Sequence, residues 1–214
     1  MKLYLSSFKV GGDPSFLQNL AASGRSRAAH IPNALDVVVD RGARSFYERN
    51  DRSDLEAQGF TVSRLDLRAW FGREKALDAC LDAYDLLWSS GGNVFALRDA
   101  MRRSGLDAAL KRRCAGGTDL VYGGFSAGIC VLGPTLEGLE LVDDPEPSPY
   151  GGTASPCREG LGLLPYMPVP HYRSGHPESD RIEAVVRYLE EKRLPHVKMR
   201  DGDVLVVEGG LCHA

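Results

Sequence analysis

Short apolar runs alternate with longer amphipathic stretches along this chain, and turn residues, chiefly glycine, separate them. This pattern is typical of a mostly parallel β-sheet with helices on both faces. The predicted strands cover residues 2–7, 27–31, 60–67, 85–90, 119–123, 163–169 and 204–207. The predicted helices cover residues 14–20, 45–58, 77–81, 94–104, 106–114 and 178–192. Because we find neither an internal repeat nor a second unit, we predict a single α/β domain over residues 1–214.

The amino-acid composition limits the binding partners and the cellular location that we expect for this protein. The 214 residues carry a formal net charge of -3, whereas nucleic-acid-binding domains usually present a basic face. No apolar run approaches the ~20 residues that a membrane-spanning helix needs, and the N-terminus does not read as a signal peptide. The five cysteines include no CxxC pair that would indicate a zinc site. We therefore expect a cytoplasmic monomer or homodimer that binds neither nucleic acid nor membrane and needs no metal or organic cofactor.

The most informative local feature is the GxSxG sequence at residues 124–128, which follows a predicted strand and precedes a helix-compatible run. A serine on such a sharp strand-to-helix turn is held in a strained backbone with its hydroxyl exposed. The N–H groups at the start of the helix point to the place where an oxyanion would form. Ser126 is thus a candidate nucleophile, and Ala127 is a candidate oxyanion donor. The alternative is a glycine-rich turn in which the serine only caps the helix.

A second oxyanion donor is expected at a neighbouring strand end. Residues 89–93, Ser-Ser-Gly-Gly-Asn, follow an apolar strand and open a helix, so their backbone N–H groups suit an anion. We predict Gly92 as the donor, although an ordinary tight turn would explain the segment equally well.

A serine hydroxyl needs a base, and histidine is the usual one because its pKa lies near neutrality. His171 follows an apolar strand and lies at the edge where parallel sheets place their ligands, so it is the first candidate. His176, in the loop behind it, is the second. A carboxylate must then fix the imidazole tautomer. Four candidates lie between the serine and His171, and spacing alone does not choose among them, namely Glu137, Glu140, Asp143 and Asp144.

Four segments in this order resemble the peptidase E family, also called dipeptidase E or alpha-aspartyl dipeptidase and related to cyanophycinase. They are residues 89–93, residues 122–128 (Tyr-Gly-Gly-Phe-Ser-Ala-Gly), residues 133–135 (Gly-Pro-Thr) and residues 168–172 (Pro-Val-Pro-His-Tyr). The resemblance implies a class I glutamine amidotransferase-like fold, a flavodoxin-like three-layer α/β arrangement with serine replacing the more usual cysteine. It also implies a triad of Ser126, His171 and an acid. Glu140 lies nearest the family's acid position, and Asp143 is the second choice.

The resemblance also bears on substrate. Family members hold a substrate aspartate with a basic residue after the histidine, but the nearest placement here puts Glu178 at that position. This leaves Arg173 and Arg181 as the expected substrate-binding residues. The resemblance implies a serine dipeptidase that cleaves short peptides, N-terminal Asp-X among the candidates, through an acyl-enzyme on Ser126. The alternatives are an esterase of broader specificity and a catalytically silent relative that binds a ligand.

Overall fold

The computed structural model describes residues 1–146, 148–151 and 155–208. The strands in these ranges are β1 (Lys2–Ser6), β2 (Arg27–Ile31), β3 (Thr61–Arg64), β4 (Leu86–Ser89), β5 (Val121–Phe125), β6 (Met167–Val169), β7 (His196–Lys198) and β8 (Val204–Val207). The α-helices are α1 (Ser15–Ala22), α2 (Arg41–Glu56), α3 (Glu74–Leu81), α4 (Val94–Ser104), α5 (Leu106–Ala115), α6 (Ala127–Cys130) and α7 (Ser179–Glu191). Short 3₁₀ helices lie at Asn33–Val37, Leu67–Trp70 and Leu139–Leu141.

Six strands form one sheet in the order β3-β2-β4-β5-β1-β8. The pairings from β3 to β1 are all parallel, and only β8, at the edge, runs antiparallel to β1. Strands β6 and β7 form a separate parallel pair. The predicted mostly parallel α/β sheet is therefore confirmed.

The core lies on both faces of the six-stranded sheet because side chains alternate along each strand. Leu5 of β1 and Leu87 of β4 belong to the larger buried cluster, which also contains residues of α3, α4, α5, α6 and α7. Their neighbours Tyr4 and Trp88 belong to the smaller cluster, with residues of α1 and α2. Because β1, β2, β4 and β5 each supply apolar side chains to both clusters, helices cover both faces, as the sequence predicts.

Most predicted elements are present, but their ends shift. Strand β2, helix α4 and strand β8 have their predicted bounds. The strand predicted over residues 163–169 is reduced to β6, because Gly162 turns with φ at 64° and Leu163 and Leu164 bond back to Leu132 instead of pairing in a sheet. Strand β7 is not predicted from the sequence, because its three residues offer a single apolar side chain.

The candidate functional residues lie directly after the ends of four parallel strands. Strand β4 leads into Gly91 and Gly92, strand β5 into Ser126, strand β6 into His171 and strand β7 into Asp201. The carboxyl ends of parallel strands are where open α/β sheets bind their ligands. None of the helices in the described ranges is long and apolar enough to cross a membrane.

Candidate active site

Ser126 lies on the turn between β5 and α6 with φ at 50° and ψ at -119°, a conformation that non-glycine residues rarely adopt. Its side chain makes no capping hydrogen bond, which removes the interpretation of Ser126 as a simple helix cap. The two glycines of the motif are needed for close packing on β4. A Cβ at Gly124 or Gly128 would lie 2.5 or 2.4 Å from the carbonyl oxygen of Ser89.

The two predicted oxyanion donors lie next to Ser126. Gly92 has φ at 132°, and a Cβ there would lie 2.5 Å from the carbonyl oxygen of Ala34, so the position requires glycine. A Cβ at Gly91 would lie 3.1 Å from Cβ of Ser126, so the two strand ends are in close contact. Among the described residues, no acceptor pairs with the backbone N–H of Gly92 or of Ala127. Both N–H groups are therefore available for a bound oxygen, and both residues line a small cavity with Ser126.

His171 is fixed by two hydrogen bonds. Its side chain is 1% exposed, and its backbone has φ at 61°. The backbone N–H donates to Oγ of Ser7 at 2.9 Å, and Nδ1 lies 2.6 Å from Oδ1 of Asp201. Oγ of Ser7 also lies 3.2 Å from the same oxygen of Asp201, and the backbone N–H of Asp201 donates to Oγ of Ser174. With Nδ1 held by a carboxylate, Nε2 is left as the nitrogen that can accept a proton.

Burial lowers the pKa of His171 below its ordinary value of 6.5 because the charged ring loses hydration. The hydrogen bond to Asp201 acts in the opposite direction, and the neighbouring His176 ring lowers the pKa further. Desolvation has the larger effect, so the ring is neutral at pH 7 and able to act as a base.

The structure does not bring Glu140 to His171, which corrects the acid predicted from the sequence. The carboxylate of Glu140 accepts hydrogen bonds from Nε of Arg158 at 2.6 Å and from the backbone N–H of Gly138 at 2.7 Å. Asp143, the second choice, accepts from the backbone N–H of Val94 at 2.7 Å, at the start of α4. The carboxylate beside the imidazole belongs to Asp201, in the turn between β7 and β8.

Asp143 has an unusual environment of its own. It lines the small cavity with Ser126 and His171, and burial raises its pKa to about 7. The nearby charge of Glu178 adds to this rise, whereas the hydrogen bond from the N–H of Val94 opposes it. A carboxyl group beside the candidate nucleophile therefore changes charge near neutral pH.

The two predicted substrate-binding arginines lie outside the main cavity. Arg173 extends over the ring of Tyr172 and pairs with Glu183 at 3.4 Å. Arg181 donates to the carbonyl oxygen of Val142 at 2.8 Å and lies 3.5 Å from a carboxylate oxygen of Glu178. Both guanidinium groups are thus engaged on the outer surface, and neither side chain lines the cavity beside Ser126. Glu178 itself does line that cavity.

The main cavity has a volume of about 480 Å³ and opens beside Ser126, Gly92 and His171. A volume of this size accommodates a small ligand. Among the described residues, no hydrogen bond joins Oγ of Ser126 to His171, although both residues line this cavity and the smaller one. In proteins without bound substrate, catalytic hydrogen bonds are often long and shorten only in the complex.

His176, the second candidate base, stacks on His171 with ring centroids 3.8 Å apart and planes inclined by 13°. Together with Glu178, the two histidines offer ligand atoms within 4.8 Å of one another, so these three residues could hold a metal ion. Tetrahedral metal ligation needs ligand lone pairs that converge on one point. The nitrogen lone pairs of two stacked rings lie in two nearly parallel planes and do not converge on one point, so one ring would have to turn before both could bind the same ion.

The arrangement supplies the parts that acyl transfer requires. A partly buried hydroxyl without a capping hydrogen bond, a neutral imidazole oriented by a carboxylate and, among the described residues, two unpaired N–H groups lie at the ends of neighbouring strands. Sequence reasoning finds the serine, the histidine and both N–H groups, but it misses Asp201 and Ser7. An Asp-Gly turn that precedes the last strand is the signal that could have indicated Asp201.

Comparisons with known proteins give a consistent result. The model of peptidase family S51 matches residues 12–214. The chain is 37% identical over 204 residues to peptidase E of Streptomyces coelicolor, an alignment that covers 90% of this chain and 79% of that protein. It is similar in fold to a Listeria monocytogenes EGD-e protein proposed to be a peptidase E, with a TM-score of 0.75, 21% identity and coverage of 99% and 95%. A peptidase from an acI-B1 Actinobacterium has a TM-score of 0.66 at 15% identity, with coverage of 98% and 84%.

Proposed function

Since the chain belongs to peptidase family S51 and is a serine peptidase, we propose that it hydrolyses short peptides through an acyl-enzyme on Ser126. One observation carries the proposal. Ser126, on its strained turn, lines the same cavities as His171, and the Nδ1 atom of that imidazole is held by Asp201 at 2.6 Å. These positions and distances give each residue its catalytic role.

In the first half-reaction Oγ of Ser126 attacks the scissile carbonyl carbon while Nε2 of His171 takes the hydroxyl proton. The carboxylate of Asp201 keeps the ring in the tautomer with the proton on Nδ1 and stabilises the imidazolium that forms. The carbonyl π electrons move to the oxygen, which becomes an oxyanion. The N–H groups of Gly92 and Ala127 donate to this oxygen, where the negative charge develops.

Collapse of the tetrahedral intermediate breaks the C–N bond, and the imidazolium returns its proton to the leaving amine. The acyl group is then an ester on Ser126. In the second half-reaction Nε2 of His171 takes a proton from water, and the resulting hydroxide attacks the ester carbonyl. The bond between the acyl carbon and Oγ of Ser126 then breaks, the imidazolium returns its proton to Oγ, and the acid product leaves. Neither half-reaction requires a group beyond those of the chain, the peptide and water.

The proposal is tested with a library of unblocked dipeptides and three forms of the protein. The native chain should hydrolyse some members, and Ser126→Ala should lower kcat on those members by at least about 10⁴-fold. Ser23→Ala, which changes an exposed serine at the end of α1, is the matched control and should keep the native rate. Equal hydrolysis by the native and Ser126→Ala proteins, or no hydrolysis of any member by the native protein, would contradict the proposal.

A further inference from the structure

The walls of the main cavity indicate what kind of peptide it accepts. Its apolar lining is extensive and consists of Phe8, Leu35, Val38, Phe46, Tyr47 and Phe125. The Phe8 ring packs edge-on against Phe125 at 6.1 Å between centroids and lies 5.9 Å from the His171 ring. Phe46 and Tyr47, on α2, are 53% and 48% exposed. A large apolar group bound here would remove this aromatic surface from water, which is favourable.

The charged groups of the cavity do not suit an acidic side chain. The cavity is lined by one cation, Lys9, and by two carboxylates, Asp51 and Glu178, among the residues that the structure describes. Nζ of Lys9 is already hydrogen-bonded to Asp54 at 3.1 Å. The Asp51 carboxylate accepts from Oγ of Ser90 at 2.6 Å, and within the described ranges no lysine or arginine pairs with it. An aspartate side chain in this cavity would therefore meet two carboxylates and no unpaired cation.

Glu178 lines the cavity beside His171 and His176, and its pairing with Arg181, at 3.5 Å on the outer surface, is too long for a hydrogen bond of ordinary length. Its carboxylate oxygen, the ring nitrogen of His171 and the ring nitrogen of His176 lie within 4.8 Å of one another. In an unblocked peptide the α-ammonium is separated from the first carbonyl carbon by a single carbon atom. When that carbonyl is presented to Ser126 and His171, the ammonium is within reach of Glu178. A charge-assisted hydrogen bond between the two groups would also fix the carbonyl's position.

We propose that the cavity selects short peptides with a free α-ammonium group and a large apolar, preferably aromatic, N-terminal residue. The ammonium binds Glu178, and the side chain lies against Phe8, Phe46 and Tyr47. The inference rests on the proposed function and names the substrate of that site. It replaces the expectation of an N-terminal aspartate held by Arg173 or Arg181.

Binding is measured on the Ser126→Ala protein, so that specificity is observed without hydrolysis. Calorimetric titration with Phe-Leu, Asp-Leu and N-acetyl-Phe-Leu compares peptides that differ only in the N-terminal side chain or in the ammonium charge. We expect Phe-Leu to bind at least about 10-fold more tightly than either of the others. Binding of Asp-Leu that equals or exceeds that of Phe-Leu would overturn the inference.

Substitutions test which residue binds the N-terminal side chain and which residue binds the ammonium group. Phe46→Ala should raise KM for Phe-Leu about 10-fold and change the KM for Gly-Leu much less, because the N-terminal residue of Gly-Leu has no side chain to bind. The control is Leu141→Ala, since this side chain is 47% exposed and lies outside the cavity. Glu178→Gln should reduce the ratio of kcat/KM for Phe-Leu over N-acetyl-Phe-Leu about 10-fold. Its control is Glu183→Gln, a partly exposed glutamate on α7 that also lies outside the cavity.

The binding and hydrolysis measurements distinguish a failure of this inference from a failure of the proposed function. If the protein hydrolyses Asp-Leu in preference to Phe-Leu and Ser126→Ala abolishes hydrolysis, the inference fails and the proposed function stands. If Phe-Leu binds selectively to the Ser126→Ala protein but the native protein hydrolyses neither Phe-Leu nor any other member of the dipeptide library, the proposed function fails and the assigned binding site stands. Unchanged selectivity in both Phe46→Ala and Glu178→Gln would overturn the residue assignments and, with them, the inference.

Discussion

Nδ1 of His171 lies 2.6 Å from Oδ1 of Asp201, although 30 residues separate them in the sequence. The pairing of β6 with β7 brings them together, because the two parallel strands end side by side and the chain continues from one end to His171 and from the other to Asp201. Ser7, directly after β1, contacts both residues. Three strand ends thus hold the proposed base in one orientation.

Asp201→Asn should lower kcat on a cleaved peptide by about 10³–10⁴-fold, because an amide neither fixes the imidazole tautomer nor stabilises the imidazolium. Glu140→Gln should change kcat less than about 2-fold, since Glu140 contacts Arg158 and Gly138 and not His171. Steady-state kinetics of both variants on one peptide make this comparison. A large loss in Glu140→Gln with full activity in Asp201→Asn would restore the acid that the resemblance implies.

Ser7→Ala should lower kcat about 10-fold and the free energy of unfolding by about 1–2 kcal/mol. The hydroxyl of Ser7 is buried and accepts the backbone N–H of His171, which would otherwise be unpaired in a residue with φ at 61°. Ser7→Thr keeps the hydroxyl and serves as the rescue variant. Urea denaturation and kinetics check the two effects, and an unchanged kcat in Ser7→Ala would show that this hydroxyl does not position the base.

The rate of peptide hydrolysis should rise with pH, with the acid-side midpoint of kcat/KM below 6.5. His171 must be neutral to accept the proton of Ser126, and burial lowers its pKa below that ordinary value. Because the neighbouring His176 also lowers the pKa of His171, His176→Gln should move the midpoint to higher pH. A pH profile of both proteins tests this, and a native midpoint at or above 6.5 would contradict it.

Asp143→Asn should stabilise the protein at pH 8 but have little effect on stability at pH 4. Burial raises the pKa of Asp143 to about 7 in the folded state from 3.8. Between these values the folded state binds more protons than the unfolded state, so stability falls as pH rises through this window. Asparagine carries no charge and still accepts the N–H of Val94. We expect a gain of about 2 kcal/mol in the free energy of unfolding at pH 8.

Urea denaturation at both pH values measures this difference. Asp144→Asn, at the exposed neighbouring position, is the control and should show no such pH dependence. A gain of equal size at pH 4 and pH 8 would mean that asparagine improves packing at this position, and that the ionisation of Asp143 does not limit stability.

The fold and most of the candidate site could be predicted because their signals are local. Hydrophobic periodicity predicts strands such as β2 and helices such as α4. Ser126 and Gly92 lie in short glycine-containing turns directly after apolar strands. His171 likewise follows β6 in the sequence. Each of these residues is identified by its immediate neighbours along the chain.

Asp201 could not be predicted in the same way because its partner is distant in the sequence. The turn that carries it follows β7, which has a single apolar residue, Val197, between His196 and Lys198. The strand ends that lead to His171 and Asp201 meet because β6 pairs with β7. Neither segment by itself predicts that pairing. The position of the two arginines outside the cavity could not be predicted for a related reason, since sequence distance from His171 does not tell which side chains turn toward the cavity.

Covalent labelling by a fluorophosphonate tests most directly whether Ser126 is the nucleophile. Such a probe phosphonylates an activated serine hydroxyl with loss of fluoride, and intact-mass measurement followed by peptide mapping locates the adduct. We expect one adduct per folded chain, on the peptide that contains Ser126, and none on the Ser126→Ala or His171→Ala proteins. No adduct on the folded native protein, or equal labelling of the Ser126→Ala protein, would contradict this expectation.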